Sequence, residues 1–266
     1  MQENRIVGDV VLLNDAKILF EDNTFGNTLF VPKGEQLRLN NCVIRFYGNN
    51  SLVFIRENSV SVNVSVFNDN TFYMGKGSYI NNSLNVIVSE QTCVFIGDDL
   101  LCSFGVHIRT ADPHLLYDCA TRSRINHSKS VFIGDHVWIG QDSLILKGAR
   151  IGSGVVIGAK ALVSNKILDS NSAYAGVPVK KIRDGVFWTG SCVHSYTNEQ
   201  TQKSEYYPSD DYVFNGESCS LYPKLLMEGL TDGKTVEDRI AFLQEMDSGK
   251  DRFYLRNDRD NRKNKG

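Results

Sequence analysis

Ile133-Gly-Asp-His-Val-Trp-Ile-Gly140 opens the stretch that decides the fold, and Ile145-Leu-Lys-Gly-Ala-Arg-Ile-Gly152 and Val156-Ile-Gly-Ala159 continue it. From Ile133 the chain falls into sixes. Ile133, Ile139, Ile145, Ile151, Ile157 and Val163 are branched aliphatics at that spacing, and Gly134, Gly140, Gly152 and Gly158 each follow one of them. Four residues after each aliphatic stand Val137, Ser143, Ala149, Val155, Ala161 and Ile167, mostly small or medium. A period of six fits neither the 3.6 of a helix nor the simple alternation of one long strand. It fits a parallel β-solenoid with three short sides per coil. The aliphatic then points into a narrow interior, the small residue fills a tight corner, and glycine relieves the turn.

The pattern continues upstream through Ile96, Cys102 and Ile108, and through Ile80 and Val86. It breaks at 112–130, an excursion of the kind that is usually functional or mobile. The expected organisation has four parts. Residues 1–79, which alternate apolar and polar, are β coils of degraded repeat capping the solenoid. Residues 80–185 are the repeat domain with its protruding loop. Residues 186–249 form an irregular, partly helical extension, with a helix over 236–246 that starts from Asp232 or Thr235. The last 17, 250–266, are nearly all charged or Asn and are expected to be disordered. The fold class is therefore mainly β, a left-handed parallel β-helix once the resemblance below supplies the hand.

Composition excludes several classes. The 266 residues carry 29 Lys+Arg against 31 Asp+Glu, a net charge of −2, so no overall basic field argues for nucleic acid. No apolar run approaches the length of a membrane span. No basic start, apolar stretch and cleavage site stand in order at the N-terminus, so a cytoplasmic protein with reduced, mostly buried cysteines is expected. The six cysteines form no metal-binding spacing, and there is no phosphate loop, nucleotide fingerprint or glycosidase-like carboxylate cluster.

The three repeat stretches, together with Ala175-Gly-Val-Pro-Val-Lys-Lys-Ile182, resemble the hexapeptide-repeat acetyltransferases. The resemblance spans roughly 80–188. Ser103 to His114, Tyr117-Asp118, Arg124-Ile-Asn126 and Trp188 are similar to the branch acting on bacterial surface glycans, which includes capsular polysialic acid O-acetyltransferases. It implies a left-handed helix, a homotrimer, acetyl-CoA as co-substrate, no metal, and a glycan acceptor, with sialic acid one candidate.

His114 matches the family's catalytic histidine, and an imidazole suits the removal of a hydroxyl proton at neutral pH. Asp112 or Asp118 would orient it, as could a backbone carbonyl. Trp138, outward at a coil corner, would wall the site. By the family pattern Gly140, Gln141, Ala159 and Ser164 would meet the pantetheine arm, although the family often has Ser where Gln141 stands. Lys166, Lys180 and Arg183 would meet the phosphates, with one extra residue expected near Asn165. His107 and His136 are expected to be structural or interfacial. Two rivals remain at this point: a zinc carbonic anhydrase on the same fold, which needs three converging histidines, and a non-enzymatic solenoid scaffold.

Overall fold

The computed structural model describes residues 2–231 and 233–256. Short parallel strands wind through three faces in strict rotation. Face one holds eight strands, from Arg5–Val7 to Ile167–Leu168. Face three holds seven, from Lys17–Phe20 to Leu162–Val163. Face two is a three-stranded sheet from Asp9–Leu13 to Asn58–Val60, followed by a six-stranded one that begins at Tyr79–Ile80. Its last strand, Lys180–Asp184, turns back antiparallel to Ser172–Ala175 and closes that end. The architecture is a left-handed β-helix of about seven coils.

The hexapeptide reading gives the interior residue by residue. Ile133, Ile139, Ile145, Ile151, Ile157 and Val163 are all essentially inaccessible, as are the corner residues Val137, Ser143, Ala149, Val155 and Ala161. Ile167, read as the sixth corner, is instead outward and exposed. The reason is a coil one residue short: Phe132 pairs with Arg150, but Arg150 pairs with Ile167. The turn at Ser164–Lys166 has thus lost a residue rather than gained one near Asn165, and Leu168 takes the interior place.

Glycine is required where coils touch. A Cβ on Gly140 would lie 2.6 Å from the Ala159 nitrogen and 2.8 Å from the Gly158 carbonyl carbon. No side chain fits between those backbones.

Strands of residues 1–79 pair within the same faces as those that follow, Leu52–Ile55 against Thr71–Met74 and the latter against Cys93–Ile96. These four-residue strands are buried on both sides. Inside lie Val53, Phe72 and Val94; outside lie Phe54, Tyr73, Phe95 and Phe132, covered by a second apolar cluster. The cover is the C-terminal extension. Two helices, α2 (Pro223–Leu230) and α3 (Val236–Glu245), bring Leu226, Leu230, Val236, Ile240 and Leu243 onto face one. A shorter helix, α1 (Asn198–Lys203), precedes them. Thr235 caps α3 through a reciprocal pair of bonds with Asp238; Asp232, the other expected start, lies outside the described residues.

Residues 250–256 correct the expected disorder. Phe253 is fully buried and stacks 6.1 Å from Phe95. Arg252, only 1% exposed, donates to both carboxylate oxygens of Asp135 at 2.6 and 3.0 Å. Two large side chains with built partners outweigh the ordering entropy of a short polar segment. The remaining ten residues of the expected tail lie outside the described part. Of the cysteines, Cys42, Cys93 and Cys102 are buried while Cys119 and Cys192 are exposed, so the core accounts for half of them.

Candidate active site

The excursion leaves the helix after Val106–Arg109 on face three and returns at Val131–Ile133 on face one, so it stands at the corner between those faces. It is tied down. Arg124 donates to both oxygens of Glu90 at 2.6 and 2.8 Å, and Ser128 donates to the same carboxylate. Those bonds hold the Glu90 carboxyl down at about 2. Asn126, 8% exposed, is the hub. Its amide donates to the His114 carbonyl at 2.8 Å and to Asp112 at 3.2 Å, while its oxygen accepts from the Leu116 N–H at 2.9 Å.

His114 is thereby held by its backbone and is exposed. Neither expected orienter reaches that ring within this chain. Asp112 accepts from Lys147 at 2.5 Å as well as from Asn126, and these bonds keep its carboxyl below the usual range. Asp118 accepts from the Thr121 and Ala120 N–H groups, which depress it likewise and close a turn of the loop. Both carboxylates shape the loop instead.

Trp138 lies on face two, in the strand Trp138–Ile139 rather than at a corner, and is 40% exposed. Its neighbour is Trp188, with ring centroids 6.1 Å apart. Trp188 in turn stacks on His136 at 3.8 Å, the rings almost parallel, and donates its indole N–H to the His136 carbonyl. Tyr212 stacks on His136 at 4.5 Å. The His136 ring nitrogens meet Asp99 at 2.5 Å and the Trp188 carbonyl at 2.9 Å. Buried between two rings with both nitrogens engaged, His136 has no atom left to take a proton from a substrate. Sequence reasoning missed what this histidine holds. The available signal was the alignment of Gly97-Asp-Asp99 with Gly134-Asp-His136 at the same corner of successive coils. Half-buried His107 sits on face three, beside Leu144 and Asn85.

The other expected contact residues fall in three places. Gly140, Gln141 and Ala159 stack at the corner between faces two and three, where the Lys160 N–H donates to the Gln141 carbonyl at 2.7 Å. Ser164 and Lys166 stand at the loop's own corner, below it. Exposed Lys180 and Arg183 lie on the closing antiparallel strand of face two. Within one chain the fold therefore keeps the His114 loop and Trp138 apart: the loop projects from the corner opposite face two. Cys102 can be set aside as a nucleophile, because burial pushes its thiol up to about 12.

A model of the bacterial transferase hexapeptide (six repeats) matches residues 130–165. A polysialic acid O-acetyltransferase of Neisseria meningitidis is 31% identical over 184 residues, 68% of this chain and 85% of that protein. The chain belongs to the hexapeptide-repeat O-acetyltransferase family. It is an acyltransferase, and the carbonic anhydrase and scaffold readings fall away. A polysialic acid O-acetyltransferase of Escherichia coli O1:K1 is 33% identical over 121 residues, 46% of this O-acetyltransferase and 39% of that one. The crystal structure of the polysialic-acid-specific acetyltransferase NeuO superposes with a TM-score of 0.62 at 25% identity, covering 76% of this chain and 96% of that one. That of the polysialic acid O-acetyltransferase OatWY gives 0.53 at 27%, covering 76% and 100%. Among the described residues, no helix of this acetyltransferase is long and apolar enough to cross a membrane.

Proposed function

We propose that this O-acetyltransferase moves acetyl from acetyl-CoA directly to a hydroxyl of a bacterial surface or capsular glycan, with a polymer of sialic acid as the acceptor. The observation that carries the acceptor is the 31% identity across 85% of a polysialic acid O-acetyltransferase. In the proposed reaction His114 takes the proton of the acceptor hydroxyl as its oxygen attacks the thioester carbonyl. The carbon–sulfur bond breaks, and the thiolate leaves with the proton returned by the imidazolium. Backbone N–H groups stabilise the oxyanion. The Asn126 bond to the His114 carbonyl fixes where the imidazole starts from.

The separation of His114 from Trp138 supports a site shared between copies of the chain, with the loop of one against face two of the next. A cyclic trimer closes such heterologous contacts. The pantetheine arm would run along Gly140, Gln141 and Ala159, with Ser164 and Lys166 contributed from the loop side and Lys180 and Arg183 meeting phosphates. No residue of the scheme calls for a metal. A donor drawn from the cytoplasmic acetyl-CoA pool sets the reaction in the cytoplasm.

The test is release of free thiol from acetyl-CoA in the presence of sialic acid oligomers and neutral glycans. Transfer to the sialic acid oligomers is expected. His114→Ala should lose roughly 10²–10⁴ in kcat, with little change in affinity for acetyl-CoA. A His114→Ala enzyme keeping more than about a tenth of the rate would remove His114 from the role of base.

A further inference from the structure

The C-terminal extension carries a cleft that the acetyl-transfer scheme does not use. Its volume is about 560 Å³, inside the range of roughly 300–1,000 Å³ typical of small-molecule sites. Phe187, Trp188, Tyr206 and Tyr207 supply aromatic walls, and Gln200 and Lys203 also line it. We propose that this cleft binds a saccharide segment of the acceptor at a distance from the hydroxyl being acetylated, an inference that rests on the glycan-acceptor reading above.

Three observations carry it. First, the lining has the composition a sugar ring needs. A pyranose offers a flat C–H face to an aromatic ring and a rim of hydroxyls to amides, hydroxyls and amines. Here broad ring faces stand beside such groups, and Tyr206 is 78% exposed, which no contribution to the core explains.

Second, the cleft is built rather than incidental. Trp188 is fixed by stacking on His136 and by its indole bond to the His136 carbonyl. Phe187 packs edge-on against Tyr207 at 5.5 Å, and Tyr207 lies 5.8 Å from Tyr212, the other ring on His136. Trp188, Phe187 and Tyr207 are thus anchored through buried His136 to the helix corner, so little ordering cost remains for these three walls at binding.

Third, the cleft lies next to Trp138 of the candidate active site. Trp188 is both a wall of the cleft and the neighbour of Trp138. A chain lying in the cleft would be led along face two to the place where acetyl transfer is proposed. A second subsite of this kind makes a long acceptor bind better than a short one while leaving the chemical step alone.

The experiment measures binding and catalysis separately on the full chain. Calorimetry without acetyl-CoA would follow sialic acid oligomers of increasing length, with neutral glucose oligomers beside them, on the wild type, Tyr206→Ala and Tyr207→Ala. Wild-type affinity should rise with oligomer length, and each variant should lose about 3–10-fold for the longer oligomers. In acetyl transfer the variants should show a raised KM for long acceptors, with unchanged kcat and unchanged KM for acetyl-CoA. Unaltered far-ultraviolet circular dichroism would keep that result from being a folding defect. Equal binding of long oligomers by the wild type and both variants would overturn the cleft while leaving the proposed activity standing. Oligomer binding that depends on Tyr206, in an enzyme that acetylates no sugar, would do the reverse. Tyr206-dependent binding of the glucose oligomers alone would keep the cleft as a saccharide site and remove sialic acid from it.

Discussion

Two variants that are each inactive should restore activity to one another when their chains are mixed. His114→Ala removes the proposed base from the loop at the corner between faces three and one. Trp138→Ala removes a wall from face two, opposite that corner. If each site takes its loop from one copy and its face from the next, a chain with a defective loop still offers an intact face, and conversely. Random reassortment of equal amounts then places an intact loop against an intact face in about a quarter of the sites. The backgrounds are low. Loss of a general base costs roughly 10²–10⁴, and misplacing a reacting group by an ångström costs about 10². The mixture should therefore run near a quarter of the wild-type rate, more than tenfold above either variant. Co-expression with two affinity tags, sequential purification and thiol release from acetyl-CoA would measure it. A mixture no faster than its two components would mean that His114 and Trp138 serve the same site from within one chain, or do not serve one site at all.

Three further outcomes follow from single contacts. Arg252→Met leaves the Asp135 carboxylate buried and unpaired, at a cost of about 3–5 kcal/mol near neutral pH. Burial already pushes that carboxyl up, and removing the guanidinium pushes it further. A carboxyl raised in the folded state contributes stability only while protonated, so the penalty should shrink as pH falls, and Asp135→Asn in the same chain should recover part of it. Urea unfolding at pH 5 and pH 8 measures both, and a penalty unchanged between them would argue against a buried charge. Gly140→Ala pushes a Cβ into the next coil and should cost about 1–3 kcal/mol; an unchanged melting temperature would show that the coils can separate freely there. Glu90, held at about 2 by Arg124 and Ser128, fastens the loop fully above its unfolded value of about 4.3, and the fastening fades as pH falls towards 2. Pepsin nicking of the 112–130 loop should rise across that window in the wild type and be already high at pH 4 in Glu90→Gln.

The sequence determined the inside of the helix. One aliphatic every sixth residue is a local rule, and each of Ile133 to Val163 obeys it in the structure because a three-sided coil offers one interior place per side. The rule fails at Ile167, and only the strand register shows why: one missing residue in a turn moves a side chain from inside to outside. The outside needed tertiary structure. Leu52 to Ile55 and Thr71 to Met74 lie in a region read as alternating, yet with Cys93 to Ile96 they are buried on both sides, and nothing local says that α2, α3 and Phe253 are what cover them. The tail misled for the same reason: Arg252 looks like one more solvated charge until Asp135, 117 positions away in the chain, is brought beside it. His114 and Trp138 could be picked out of the sequence as candidates for a site. Their placement on opposite sides of one triangular coil could not, because a period repeats along a sequence without recording which of three faces each repeat presents.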